Sequence, residues 1–171
     1  MLQSMGLLRV RHDSAYAASS FYAADRFASY KMDWGSWYED GGVVLSDRYT
    51  TSNAVHQASK EPEEKQAEFL AWLYDFEYDK LGLPRPDLTI YLDVPTDFTE
   101  KLLRHREADT NTTADIHEKD MAYLATCRET GRAAAEHYGW TVIRCVQDGQ
   151  MRSIEDIHQE IYSYVQKCLE E

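Results

Sequence analysis

Apolar residues recur at helical spacing over much of the chain, and short unbroken apolar runs stand between those stretches. From Asp13 to Tyr38 the chain is rich in Ala, Tyr, Phe and Met. Tyr16, Ser20, Phe27 and Tyr30 fall on one side of a helix there, with a break expected near Gly35. Gly41-Gly42 stops that pattern and frees Val43-Val44-Leu45, which ends in Ser46-Asp47-Arg48. This run is expected to be a buried strand with charge at its carboxyl end. Thr50 to Ala58 reads as a short helix. Glu61-Pro62-Glu63-Glu64 opens a longer one, with proline in the first turn and acids at the positive end of the dipole; Phe69, Trp72, Leu73 and Phe76 share a side, and Gly82 closes it.

Leu88-Thr89-Ile90-Tyr91-Leu92-Asp93-Val94-Pro95 is the clearest strand, β-rich and closed by proline, and a helical stretch from Phe98 to His105 follows. Glu107 to Asp115 is polar and is expected to be a loop before a long helix starting near Ile116. Trp140 to Cys145 supplies a third strand, and Ile154 to Leu169 a final amphipathic helix after Asp148-Gly149. Strand and helix therefore alternate, which implies an α/β fold with a parallel sheet covered by helices and a ligand at the carboxyl ends of its strands.

Composition narrows the function. With 171 residues, 43% hydrophobic, one domain with a true core is expected. A net charge of −12 repels a phosphate backbone, so nucleic acid is excluded as a general partner. A small phosphorylated ligand stays open, because salt screens diffuse charge beyond about 8–10 Å while a few aimed arginines act at contact. No apolar run approaches the roughly 20 residues that cross a bilayer, and Met1 to Leu8 is too short for a signal-peptide core, so a soluble cytoplasmic protein is expected. Cys127, Cys145 and Cys168 are odd in number and widely spaced, as reduced packing thiols would be. His117-Glu118-Lys119-Asp120-Met121 misses the zinc-protease pattern at its last position and is not a metal site.

Three constellations carry candidate chemistry. Tyr22 and Arg26 are four apart on one helical face, where a ring can stack on a flat base and a guanidinium can clamp its phosphate. Asp47 and Arg48 follow an apolar run directly: the carboxylate can orient hydrated Mg²⁺ and the arginine can neutralise a transferring phosphoryl group. Ser52, Asn53, His56 and Gln57 then offer groups that read a base edge. Arg104-His105-Arg106, beside the polar segment, suits a lid over bound phosphates. Each has a plain structural alternative: core aromatic with surface arginine, strand-end ion pair, helix cap, solvated face.

Phe21-Tyr22-Ala23-Ala24-Asp25-Arg26, Val43 to Tyr49, Ser52 to Gln57 and Pro86 to Pro95 stand in an order and spacing that resembles the thymidylate kinase family, from about Tyr16 onward. The resemblance implies a P-loop nucleoside-monophosphate-kinase-like fold: a three-layer parallel sheet with helices on both faces. The activity implied is transfer of the ATP γ-phosphoryl to dTMP, giving dTDP, with Mg²⁺, in a homodimer. Carried over, Tyr22 would stack on thymine and Arg26 hold the dTMP phosphate. Asp47 and Arg48 would be the catalytic pair beside Mg²⁺ and the phosphates, with Asp47 meeting the metal through water. Ser52, Asn53, His56 and Gln57 would line the base pocket, His56 standing where a Tyr or Phe is common, and Arg104 and Arg106 would belong to the ATP lid.

The departure is at the front. No G-x-x-x-x-G-K-[ST] phosphate loop occurs in the sequence, so Met1 to His12 is expected to be a non-matching segment and residues 13–171 a partial kinase domain missing its first strands. In the family the first strand lies between the one ending at Asp47 and the one at Leu88 to Val94, and Leu7-Leu8-Arg9-Val10 is the sole nearby apolar run. Because phosphoryl transfer is mostly positioning and charge stabilisation, this chain is expected to be inactive or severely impaired. A non-catalytic dTMP-binding or regulatory module, and a structural partner of an intact kinase subunit, are the alternative roles.

Overall fold

A computed structural model describes residues 14–110 and 120–170. These form two compact units, Met1–Arg85 and Pro86–Glu171. Leu7 to Val10, the end of the expected 107–115 loop and the expected helix start at Ile116 lie outside the described residues.

Among its described residues the first unit is helical. Helix α1 (Ala15–Ser29) runs through a π-helical turn at Tyr30–Trp34 into α2 (Gly35–Glu39), so the expected break near Gly35 is a change of helix type. Its deepest line is Ala15, Ala18, Ser19 and Ala23, small residues at i, i+3, i+4 and i+8 that let the next helices approach. Helix α3 (Thr50–His56) leads through a 3₁₀ turn to α4 (Glu63–Tyr74), which continues as a second π-helical turn at Asp75–Lys80. Phe69 and Leu73 of α4 are fully buried, and Tyr16 packs edge-on to Phe69 with ring centroids 5.1 Å apart. A second cluster joins the two π-turns: Tyr30, Tyr78 and Leu83 are buried, with Phe27, Trp34, Tyr49 and Tyr74 against them.

The expected strand at Val43-Val44-Leu45 does not form. The segment has no regular secondary structure and pairs with no strand among the described residues, with Val43 58% and Leu45 91% exposed. A strand needs a neighbour to satisfy its N–H and C=O groups, and no described residue of this unit offers one.

The second unit is α/β. Strand β1 (Ile90–Asp93) lies parallel to β2 (Thr141–Arg144) in the register Ile90↔Thr141 to Asp93↔Arg144. Helices α5 (Thr96–Thr110) and α6 (Met121–Tyr138) lie between the strands in sequence, the alternation expected of a parallel pair. The expected loop from Glu107 is helical as far as Thr110. At Gly131 the backbone of α6 comes so close to the Tyr91 ring that a Cβ would meet its hydroxyl at 2.6 Å, and any larger residue would have to displace that ring. Val146–Gln147 (β3) and Gln150–Met151 (β4) form a small hairpin around Asp148-Gly149, both at positive φ (51° and 72°), a type I′ arrangement that Asp-Gly favours. Helix α7 (Ile154–Glu170) packs against β2. None of the three cysteines is in a disulfide, and Cys127 and Cys145 are buried. Among the described residues no helix is long and apolar enough to cross a membrane.

Candidate functional site

The chemically densest point of the first unit is a carboxylate absent from the sequence-derived candidates. Glu77, in the second π-turn, is fully buried and accepts four hydrogen bonds. Arg26 Nε donates to Oε2 and Arg26 Nη2 to Oε1, each at 2.7 Å. Thr50 Oγ1 donates to Oε2 at 2.8 Å and Asn53 Nδ2 to Oε1 at 3.3 Å. A buried ion is tolerable only when paired and hydrogen-bonded, and both conditions are met here. The helical pattern carries a signal for it: Phe69, Leu73 and Glu77 recur every fourth residue, which puts the acid on the buried side.

Arg26 is thus held by its side edge, Nε and Nη2, with its guanidinium carbon 5.7 Å from the centre of the Tyr49 ring. Among the described residues nothing accepts from Nη1, so the end edge of the guanidinium remains for a ligand. Tyr49 donates to the Pro84 carbonyl at 2.9 Å, and burial pushes its phenol well above the usual tyrosine range. Burial raises the Tyr78 phenol too. Both rings therefore stay neutral beside the Arg26–Glu77 pair at ordinary pH.

The other sequence-derived candidates differ in how far they converge. Asn53 joins Arg26 through Glu77; its Nδ2 is committed there, which leaves the carbonyl Oδ1 for a ligand N–H. Tyr22, one turn before Arg26 on α1, is half-buried and makes no ring contact or hydrogen bond among the described residues. Gln57 is buried, and its Oε1 accepts from Lys60 Nζ at 2.9 Å; His56 is half-buried. Arg48 adopts a positive φ of 70°, a conformation that costs a non-glycine residue about 1–3 kcal/mol and gathers at functional sites. Ser46 Oγ donates to the Arg48 carbonyl at 2.9 Å, and Arg48 Nε donates to Ser52 Oγ at 3.2 Å, so the strained residue is tied from both sides. Asp47 beside it is exposed.

Among the described residues no three His, Cys, Asp or Glu converge as metal ligands. The exposed Asp47 carboxylate has the oxygen chemistry to meet a hydrated divalent ion as a single ligand. In the second unit Arg104 is exposed and pairs with Glu100, while the Arg106 side chain lies outside the described residues. The sequence-derived candidates also omit a second fork. Asp93, at the carboxyl end of β1, accepts from Arg128 Nε at 2.6 Å and Nη2 at 3.1 Å, with Arg132 Nη1 at 3.8 Å.

Comparison with known proteins bears on this geometry. The family model described as thymidylate kinase matches residues 2–161. A thymidylate kinase of Mycobacterium tuberculosis is 32% identical over 132 residues, covering 74% of this chain and 59% of that protein. A probable thymidylate kinase of Pyrobaculum aerophilum is 30% identical over 122 residues, 71% and 56% of the two chains. One of Thermococcus gammatolerans is 29% identical over 159 residues, 93% and 66%. The chain spans about three fifths of the length of the curated relatives it matches.

Proposed function

The chain belongs to the thymidylate kinase family, and from that premise we propose that it carries the monophosphate side of phosphoryl transfer from ATP to dTMP. Membership implies an α/β fold of the P-loop nucleoside-monophosphate-kinase type, and in this reading the protein acts as a homodimer. The observation that supports the reading best is the Glu77 cluster. It unites an arginine with an open edge and an asparagine with an open carbonyl, one suited to a phosphate and the other to the N3–H of a keto pyrimidine.

In this reading Tyr22 stacks on thymine and Arg26 takes the dTMP phosphate. Asn53, with Ser52, His56 and Gln57 nearby in sequence, faces the base. Asp47 and Arg48 stand at the transferring phosphoryl group, where the Nε–H bond to Ser52 orients the Arg48 guanidinium. Mg²⁺ carried on the nucleotide would neutralise phosphate charge, and Asp47 would hold it through water. Arg104 and Arg106 on α5 are the proposed lid arginines for ATP. These 171 residues contain no G-x-x-x-x-G-K-[ST] loop, so we expect dTMP binding from this chain without ATP turnover at ordinary kinase rates.

Calorimetric titration with dTMP tests the reading. Saturable binding is expected, weakened about 10–100-fold in Arg26→Ala, the worth of a charge-assisted contact. Equal binding by the wild type and Arg26→Ala, or none by the wild type, rejects the site. Rapid ADP formation by the wild-type chain with ATP, Mg²⁺ and dTMP rejects the expected absence of turnover.

A further inference from the structure

We infer that Glu77 is a positioning residue for base recognition: it fixes which end of the Asn53 amide faces the nucleotide, and so which pyrimidine the site accepts. The inference rests on the reading above that Asn53 faces the base, and adds to it a residue that does not itself touch substrate.

A side-chain amide has two ends of nearly the same size and opposite chemistry, an N–H₂ that donates and a carbonyl that accepts. Shape does not decide between them, because a half-turn exchanges the two. At Asn53 the choice is made from behind. All four hydrogen bonds at Glu77 are donated to its carboxylate, from Arg26 Nε and Nη2, Thr50 Oγ1 and Asn53 Nδ2. The acid is fully buried, so it cannot swing out to exchange partners with water. Turning Asn53 over would set its Oδ1 against Glu77 Oε1, two acceptors with no proton between them. Loss of that charge-assisted bond disfavours the turned state about 10–100-fold. Asn53 is itself only 4% exposed, and its Oδ1 accepts from no described residue. The site is therefore offered a carbonyl oxygen in need of a donor.

That oxygen matches one class of base edge. Thymine and uracil carry a donor, N3–H, where cytosine carries a bare N3 lone pair. A keto pyrimidine satisfies Oδ1, whereas cytosine sets two acceptors face to face and leaves the oxygen unpaired. In Glu77→Gln the restraint is released. The new amide can put its N–H₂ at the Oε1 position, where Asn53 meets it by turning its carbonyl inward, or at the Oε2 position, where the Thr50 hydroxyl can accept from it. Either arrangement sets that N–H₂ against an Arg26 N–H, so neither dominates, and Asn53 shows its own N–H₂ to the site in a share of the molecules. A merely structural role for Glu77 predicts only losses of affinity. Release of Asn53 predicts a gain for the amino pyrimidine.

The experiment is calorimetric titration of the 171-residue wild type and Glu77→Gln with dTMP and with 5-methyl-dCMP. The two ligands share sugar, phosphate and methyl group, so the ratio of their affinities reads the base edge alone. The wild type is expected to prefer dTMP by about tenfold or more. In Glu77→Gln that preference is expected to fall about tenfold, with the affinity for 5-methyl-dCMP raised about threefold in absolute terms. An affinity for 5-methyl-dCMP that is unchanged or lowered overturns the inference, and so does a wild type that binds both nucleotides equally. If Glu77→Gln fails to unfold cooperatively, Asn53→Ala leaves the acid with Arg26 and Thr50 and removes the amide through which it acts. Its preference is expected to fall about tenfold through loss of dTMP affinity; an unchanged preference overturns the inference. A wild type that binds neither nucleotide overturns the underlying reading instead, and is told apart because no variant enters that result.

Discussion

Each unit of the molecule contains one buried carboxylate gripped by an arginine through Nε and Nη2, yet the two forks differ in what surrounds them. Around Glu77 the remaining lone pairs go to neutral donors, Thr50 and Asn53, and the arginine side chain is only 18% exposed. Around Asp93 the further neighbour is another cation, Arg132, and Arg128 is 29% exposed. The Asp93 carboxylate raises the affinity of Arg128 for its proton, and the pair ties α6 to the end of β1. The first fork is saturated and closed, with its spare capacity turned to one free guanidinium edge. The second fastens a strand to a helix and keeps a path to water.

The difference sets the order of expected effects. Removing a carboxylate strands its arginine, and the cost depends on whether that arginine can reach solvent. Glu77→Ala is expected to cost about 3–5 kcal/mol, because Arg26, Thr50 and Asn53 lose their acceptor together. Asp93→Ala is expected to cost about 1–3 kcal/mol, since Arg128 relaxes outward. Urea unfolding of both variants decides the matter, and a larger loss for Asp93→Ala would reverse the comparison.

Alkaline pH probes the same contrast more gently. Tyr49 and Tyr78 flank the first fork and Tyr91 the second, and burial raises all three phenols above 10.0. A raised folded-state pKa means that the stability these rings contribute is complete below the unfolded value and is lost as pH climbs past it. The urea midpoint is therefore expected to hold up to about pH 10 and to fall above it. A midpoint flat through pH 11 would show that these phenols are not held neutral.

Thiol labelling gives the smallest and most local readout, because all three cysteines belong to the second unit. Half-buried Cys168 should react first. Cys127 and Cys145 are buried, and burial pushes the Cys145 thiol up, which lowers its thiolate fraction. The nearby Asp93 carboxylate also raises the Cys145 thiol, so Asp93→Ala should speed its labelling while Glu77→Gln leaves the rate unchanged. Equal acceleration by both would mean that the forks are not independent.

Much of this was legible from residues alone. Apolar spacing located the helices, and the β-rich run closed by Pro95 located β1, because local pattern and burial agree there. Val43-Val44-Leu45 misled because an apolar run reports a wish for burial, and a strand exists only where a partner completes the ladder. Glu77 stayed hidden inside Asp75-Phe76-Glu77-Tyr78-Asp79-Lys80, where acids at every second position look like a solvated surface. Only its place four residues beyond Leu73, on the buried line of Phe69 and Leu73, marks it as inward. Arg26 and Asn53 stood out by residue type and motif, whereas the carboxylate that joins them is marked by that line alone.

The two π-turns also bear on how this sequence tolerates change in length. Such a turn holds one residue more than an α-helix needs to cover the same rise, so Glu77 and Tyr78 face inward by virtue of a count as much as of identity. Loss of a single codon within Asp75–Lys80 would rotate one side of the helix against the other by about 100°. Every residue of the Arg26 cluster could survive such a deletion in the gene, and the cluster itself would be gone.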